Sequence, residues 1–236
     1  MSFRVRRVTT TRAGGVSKPP YATFNLGDHV GDDPAAVAAN RRRLAAATGL
    51  GDSGLAWMNQ VHSTEVAVVD HGGDTVDDTD GLVTTRPGLA LVVVTADCVP
   101  VLMADARAGV VAAVHAGRVG AAGGIVARAL ETMVDAGADA GDVSVLLGPA
   151  VSGRNYEVPE AMAAEVEEAL PGSRTTTRRG TAGLDLRAGI AAQLRGLGVR
   201  AIDVDPRCTV EDRNLFSHRR DNPTGRVASL IWLERR

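Results

Sequence analysis

Leu89-Ala90-Leu91-Val92-Val93-Val94-Thr95, Val99-Pro100-Val101-Leu102-Met103-Ala104 and Val110-Val111-Ala112-Ala113-Val114-His115 form the most apolar stretch of this 236-residue chain, broken only by Ala96-Asp97-Cys98 and a short polar turn. Short aliphatic and β-branched runs bounded by Asp, Gly and Pro predict strands over 89–95, 99–104 and 110–115. Their lack of polar alternation predicts burial on both faces, which requires a layer of structure above and another below. Leu89 to Val94 stops at Thr95 and Asp97, far short of the ~20 residues that cross a bilayer, so no membrane span is expected.

Moving outward, further strands are expected at Glu65–Val69, Val143–Leu147 and Arg226–Leu233. Helices are expected at Gly124–Asp135, Pro159–Leu170 and Asp185–Leu197, where apolar residues recur at steps of three and four. The clearest helix is Pro34–Thr48: Asp32 and Asp33 can cap its start, Pro34 suits the first turn and Gly49 can end it. Nothing in the chain reads as a linker or a fixed-period repeat, so residues 1–236 are expected to form a single domain. Strands and helices interleave without the regular rhythm of a doubly wound sheet, which predicts a layered mixed α/β or α+β fold.

Composition narrows the function classes. Hydrophobic residues make up 44% and charged residues 23%, enough apolar surface for a sizeable core. With 26 basic against 28 acidic residues, no field of one sign attracts nucleic acid or an anionic membrane, and a small-molecule substrate is expected instead. Cys98 and Cys208 are too far apart and too few for a disulfide framework, which points to a reducing compartment. The basic start Met-Ser-Phe-Arg-Val-Arg-Arg runs into Thr9-Thr10-Thr11-Arg12 where a secretory leader would be apolar, so a cytoplasmic location is expected.

His115 ends an apolar strand and meets Ala116-Gly117 at once. Cys98 sits between two apolar runs, and His62 stands in Asn59-Gln60-Val61-His62-Ser63 at the entry to a third. All three places can hold a side chain rigidly at the edge of a cleft. The gaps between positions 62, 98 and 115 match neither a zinc finger nor a zincin helix, so spacing leaves two readings open: a metal or catalytic cluster, or a buried apolar cysteine with two core histidines. Asp97 and Glu65 are the nearest carboxylates in sequence and are candidates for a catalytic base. The glycine-rich stretch from Gly117 to Gly124 joins a strand to a helix, where backbone N–H groups can approach an anion, or where glycine simply serves a turn.

Several stretches in order resemble one bacterial family: Thr11-Arg12-Ala13-Gly14-Gly15-Val16-Ser17, Phe24-Asn25-Leu26-Gly27-Asp28-His29-Val30-Gly31-Asp32, Asn59-Gln60-Val61-His62, Thr95-Ala96-Asp97-Cys98-Val99-Pro100, Val114-His115-Ala116-Gly117, Gly148-Pro149-Ala150, Tyr156-Glu157-Val158 and Phe216-Ser217-His218-Arg219-Arg220-Asp221. The chain is similar over almost its whole length to the laccase-domain proteins, also called polyphenol oxidases, purine nucleoside phosphorylases or peptidoglycan editing factors. The resemblance implies a layered α-β-β-α sandwich and one zinc ion held by His62, Cys98 and His115, with copper ranking second. It also carries Asn25, Arg41 and Gln60 as substrate contacts. Where the family commonly has His-Ala-Gly-Trp-Arg-Gly, this chain has His115-Ala116-Gly117-Arg118-Val119-Gly120, so Arg118 is a displaced substrate-binding arginine.

A multicopper oxidase needs many more copper-binding imidazoles than the five histidines present, which disfavours that mechanism despite the family label. The resemblance implies phosphorolysis of adenosine, inosine or methylthioadenosine and deamination of adenosine, with Cys98, His62, His115 and Asp97 catalytic and with nucleoside and phosphate as ligands. The alternative is a hydrolase of cell-wall precursors with Cys98 as nucleophile and His115 as base. A third reading, a non-catalytic zinc module, requires a fourth protein ligand such as Cys208 or His71.

Overall fold

The computed structural model describes residues 3–235; Met1 and Ser2 of the basic N-terminal stretch, and Arg236, lie outside the described residues. The three apolar runs form the strands Ala90–Thr95, Val99–Asp105 and Val110–Ala116, each buried along its whole length. They divide between two sheets. The five-stranded sheet has the order Phe3–Thr9, Val227–Arg235, Ala90–Thr95, Leu55–Met58, Thr75–Val76. The six-stranded sheet has the order Ala201–Val204, Ser144–Leu147, Val99–Asp105, Val110–Ala116, Gly81–Thr84, Val66–Val68. Both are mixed: Ala90–Thr95 is antiparallel to Val227–Arg235 but parallel to Leu55–Met58.

Strand alternation assigns side chains to layers. Val92 and Val94 face Leu44 and Ala45 of helix Pro34–Thr48, while Leu91 and Val93 face Leu102, Ala104, Val111 and Ala113 of the other sheet. The opposite side of that second sheet, through Val101, Met103, Ala112 and Val114, packs on the helices Ile125–Asp135, Glu160–Ala169 and Leu186–Gly196. Helix, sheet, sheet and helices therefore stack in the expected four layers. No described helix is long and apolar enough to cross a membrane.

Expected and observed elements differ by a residue or two at their ends, and helix Pro34–Thr48 begins and ends where expected: Asp33 accepts from the Ala35 N–H, and Gly49 closes it at φ 73°. Unpredicted strands have identifiable reasons. Phe3–Thr9 carries three arginines, Leu55–Met58 is short and rich in helix formers, and Gly81–Thr84 opens on glycine. The stretch after His115, expected as a glycine-rich turn, is corrected to a short helix, Arg118–Ala122. Helix Ile125–Asp135 then starts from Gly124 at φ 88°.

Topology brings the site together. The chain crosses from the first sheet to the second three times, between Met58 and Val66, between Val76 and Gly81 and between Thr95 and Val99. Because Leu55–Met58 runs parallel to both Thr75–Val76 and Ala90–Thr95, all three crossings leave from the same end of the sandwich. His62 lies on the first crossing and Cys98 on the third. His115 pairs with Pro100, beside the start of the strand that follows Cys98.

Leu102, fully buried between the sheets, tests the layering. Leu102→Ala is expected to lower the free energy of unfolding by about 2–5 kcal/mol in a denaturant titration. Val68→Ala, at a position 63% exposed on an edge strand, should change it by no more than about 0.5 kcal/mol.

Candidate metal centre and active site

The donor atoms of His62, Cys98 and His115 all lie within 4.8 Å of one another. Cys98 Sγ is 3.7 Å from His62 Nε2, and the two imidazole rings meet edge to face with centroids 4.7 Å apart. His62 and Asp97 both hold positive φ, 61° and 95°, a conformation that side chains other than glycine adopt only when their surroundings enforce it. A Cβ on Gly117 would lie 2.5 Å from His62 Cδ2 and 3.1 Å from Cys98 Sγ, so glycine is required there. Gly120 and Gly123 similarly let the short helix approach the Ser63 carbonyl and the Thr64 methyl. These glycines pack the helix onto the 62–64 loop.

A residue that sequence reasoning missed enforces this geometry. Asp80, fully buried, accepts hydrogen bonds from the N–H groups of Val61, His62 and Ser63, from the Ser63 hydroxyl at 2.7 Å and from His115 Nδ1 at 2.7 Å. Its backbone carbonyl accepts from His115 N–H. One side chain thus fixes the loop carrying His62 and orients His115, leaving Nε2 as the ring nitrogen free to bind a ligand. The only sequence signal was an Asp in Thr79-Asp80-Gly81, which reads as an ordinary turn.

Burial opposes ionisation of Asp80, but the hydrogen bonds from His115 and Ser63 outweigh it and hold the carboxyl at about 2. Burial likewise raises the Cys98 thiol, and the neighbouring His115 and then His62 overcome it, bringing the thiol down to about 6. For His115 burial favours the neutral ring, yet Cys98 and Asp80 lift it to about 9. At neutral pH the metal-free protein holds a thiolate beside an imidazolium.

This group opens on a cavity of about 280 Å³, near the lower end of the ~300–1,000 Å³ range of small-molecule sites. Gln60, Asp97 and Arg118 line it. The Gln60 amide exchanges two hydrogen bonds with the backbone of Val94, and Asp97 accepts from the Thr209 hydroxyl at 2.5 Å and the Arg219 N–H at 2.6 Å. Two expected substrate contacts lie elsewhere. All four hydrogen-bonding positions of the Asn25 amide are taken, by Gly27 twice, Asp32 and Arg226. Arg41 stacks on Trp57, 4.0 Å from its ring centre, and pairs with Asp28 at 3.0 Å.

Glu65 is exposed and stands outside the cavity lining. Neither proposed fourth ligand joins the metal group: Cys208 accepts N–H groups from Ser152 and Asn155, and His71 is exposed beside Asp70. Both cysteines are free. The cavity does gather residues that sequence reasoning left at the margin: His29, His218, Tyr156, Arg219 and Arg226. Their signal was present, since the first four fall inside the quoted family-like stretches.

The Asp80 account is tested by Asp80→Asn. In the metal-free variant the His115 ring, followed by NMR, should titrate well below about 9. A folded-state carboxyl near 2 stabilises the protein above the unfolded value of 3.8, and that contribution disappears as pH falls toward 2. The variant should lack this acid-side loss. Between about pH 7 and 9 a bound metal displaces the His115 proton, so affinity should rise about tenfold per pH unit in the wild type. A flat profile contradicts the assignment.

The model of the multi-copper polyphenol oxidoreductase laccase family matches residues 6–234. A Mycobacterium tuberculosis protein named purine nucleoside phosphorylase is 73% identical over 99% of this chain and 94% of its own length. A Corynebacterium glutamicum protein of the same name is 58% identical over 97% and 94% of the two chains. Among solved structures, YlmD from Geobacillus stearothermophilus superposes with a TM-score of 0.92 at 34% identity, covering 98% of this chain and 92% of that one. A Neisseria meningitidis protein gives 0.87 at 35% identity with both chains fully covered. With the family model spanning nearly the whole chain, this protein belongs to the multi-copper polyphenol oxidoreductase laccase family.

Proposed function

We propose that this chain is a zinc-dependent purine nucleoside phosphorylase acting on adenosine, inosine and methylthioadenosine, with adenosine deaminase activity. It works as a single domain in the cytoplasm, where Cys98 stays reduced. The observation that carries the reading is a three-donor group opening on a cavity of small-molecule size. The relatives named purine nucleoside phosphorylase supply the substrate class.

His62, Cys98 and His115 fit zinc by donor chemistry: two imidazoles and a thiolate, with the thiolate formed at neutral pH and Nδ1 of His115 secured by Asp80. When bound, zinc would supply Lewis acidity at a position left open by three protein donors. Copper ranks second. Among the described residues one three-donor group is present, which supports single-ion chemistry over a multicopper mechanism.

In phosphorolysis the bond from C1′ to the purine nitrogen breaks, a bond from C1′ to a phosphate oxygen forms, and a proton ends on the released base. The chain supplies a partly enclosed site with apolar walls from Val94, Val151 and Leu186 and polar groups from Gln60 and Tyr156. Asp97 serves here as a positioning residue, because both its oxygens are engaged in holding Thr209 and Arg219.

The same geometry favours a second reading. Cys98, His115 and Asp80 stand in the order nucleophile, base and orienting carboxylate, which suits a hydrolase of cell-wall precursors with zinc as an adventitious occupant. Chelation separates the two. A zinc phosphorylase should contain about one zinc per chain and release adenine from adenosine only with phosphate present. Cys98→Ala should lose the metal and more activity than the ~10–100-fold typical of losing an outer-shell partner. Phosphate-independent hydrolysis that survives chelation would transfer the assignment to the thiol hydrolase.

A further inference from the structure

Arg118, Arg219 and Arg226 all line the cavity, and none of them forms an ion pair with a carboxylate among the described residues. Neighbouring arginines are differently placed. Arg220 spends its guanidinium on the carbonyls of Thr209, Val210, Asp212 and Leu215, and Arg41 is paired to Asp28. The one carboxylate in the cavity lining, Asp97, has both oxygens occupied by groups other than these guanidiniums. Arg226 is half-buried and donates Nη1 to the carbonyls of Thr224 and Gly225, which leaves the rest of its fork uncommitted. Three cations lining one partly enclosed space repel one another; Asp97 and the Cys98 thiolate offset part of that charge for Arg226, and an anion held by the three free forks would offset the rest.

The hydrogen-bonding groups around them suit the same ligand. The Arg219 guanidinium stacks over Tyr156, 5.1 Å from the ring centre, which leaves the N–H edge of its fork free. Burial and then Cys98 hold the Tyr156 phenol above its ordinary value, so it remains an O–H donor. Thr95 also lines the cavity, and its buried hydroxyl has no partner among the described residues. The one-residue displacement of the arginine after Gly117 also has a consequence: Val119, the next residue along the helix, is 54% exposed and outside the lining, whereas position 118 is inside it.

We propose that Arg118, Arg219 and Arg226, with Tyr156, form the binding subsite for a phosphoryl dianion in the cavity that also contains His62, Cys98 and His115. Its identification with orthophosphate, the second substrate, rests on the phosphorylase reading; a phosphate group carried by the nucleoside would present the same chemistry. The test uses the full-length zinc-loaded protein. Steady-state kinetics should show the KM for orthophosphate rising roughly tenfold or more in Arg118→Gln and in Arg219→Gln, from loss of a charge-assisted contact, with the KM for adenosine within about twofold of wild type. Arg226→Lys, which keeps the charge but not the fork, should show a smaller rise. Arg154→Gln, at an exposed position outside this cavity, should leave both constants unchanged, and unaltered melting temperatures should show that the variants fold.

Unchanged phosphate KM in both Gln variants overturns the subsite while leaving the phosphorylase reading intact. If the wild type shows no phosphorolysis, calorimetric titration with orthophosphate decides. Binding that is lost in the Gln variants upholds the anion subsite and removes the phosphorylase reading, and absence of binding by the wild type removes both. A wild type that binds adenosine monophosphate more tightly than adenosine, with the difference abolished in Arg219→Gln, upholds the subsite and assigns the dianion to the nucleoside.

Discussion

A single buried carboxylate holds the active region together. Asp80 accepts three successive backbone N–H groups from Val61 to Ser63, a serine hydroxyl and the Nδ1 of His115. An ion buried this deeply is tolerated because every bond it lost from water is replaced, two of them at 2.7 Å from side chains. Without it the 61–63 loop would have no reason to keep His62 at a positive φ, and the His115 ring would be free to turn. The carboxylate thus converts two separate segments into one rigid donor pair, and Gly117 makes room for the third donor between them.

The layered fold explains why such a site lies where it does. Two sheets packed face to face must be joined by segments that leave one and enter the other, and such segments lack a ladder to satisfy their backbone. At this end of the sandwich acids hold both donor-bearing crossings: Asp80, itself on the crossing between Val76 and Gly81, accepts backbone N–H groups of the His62 crossing, and Asp97 ties the Cys98 crossing to the Thr209 hydroxyl and the 219 amide. The rigid sheets supply precision and the crossings supply reactive groups, a division often seen where functional residues sit on loops of a firm scaffold.

Much of this was legible in the chain itself. The uniformly apolar strands between Leu89 and His115 demanded cover on both faces, and the four-layer fold supplies it. The helix at Pro34–Thr48 was readable to the residue because Asp33, Pro34 and Gly49 each act locally. Phe3–Thr9 and Gly81–Thr84 were not, because their strand character comes from pairing with Val227–Arg235 and Val110–Ala116, far away in sequence. The same distinction holds in the site. His62, Cys98 and His115 stood out by residue type and by family-like context, whereas Asp80 looked like any turn aspartate because its role depends on partners 17 to 35 positions away. Asn25 and Arg41 show the converse: the Asn25 amide is spent on its own loop and on Arg226, and Arg41 on Trp57 and Asp28, while His29 from the same stretch as Asn25 lines the cavity.

The central claim is that one metal ion sits between two imidazoles and the Cys98 sulfur. X-ray absorption at the zinc edge of the purified protein tests it most directly. The account predicts one sulfur at about 2.3 Å and two nitrogens at about 2.0 Å, with a remaining light atom completing the shell. A shell without sulfur, a shell of several sulfurs, or no tightly held zinc would contradict it.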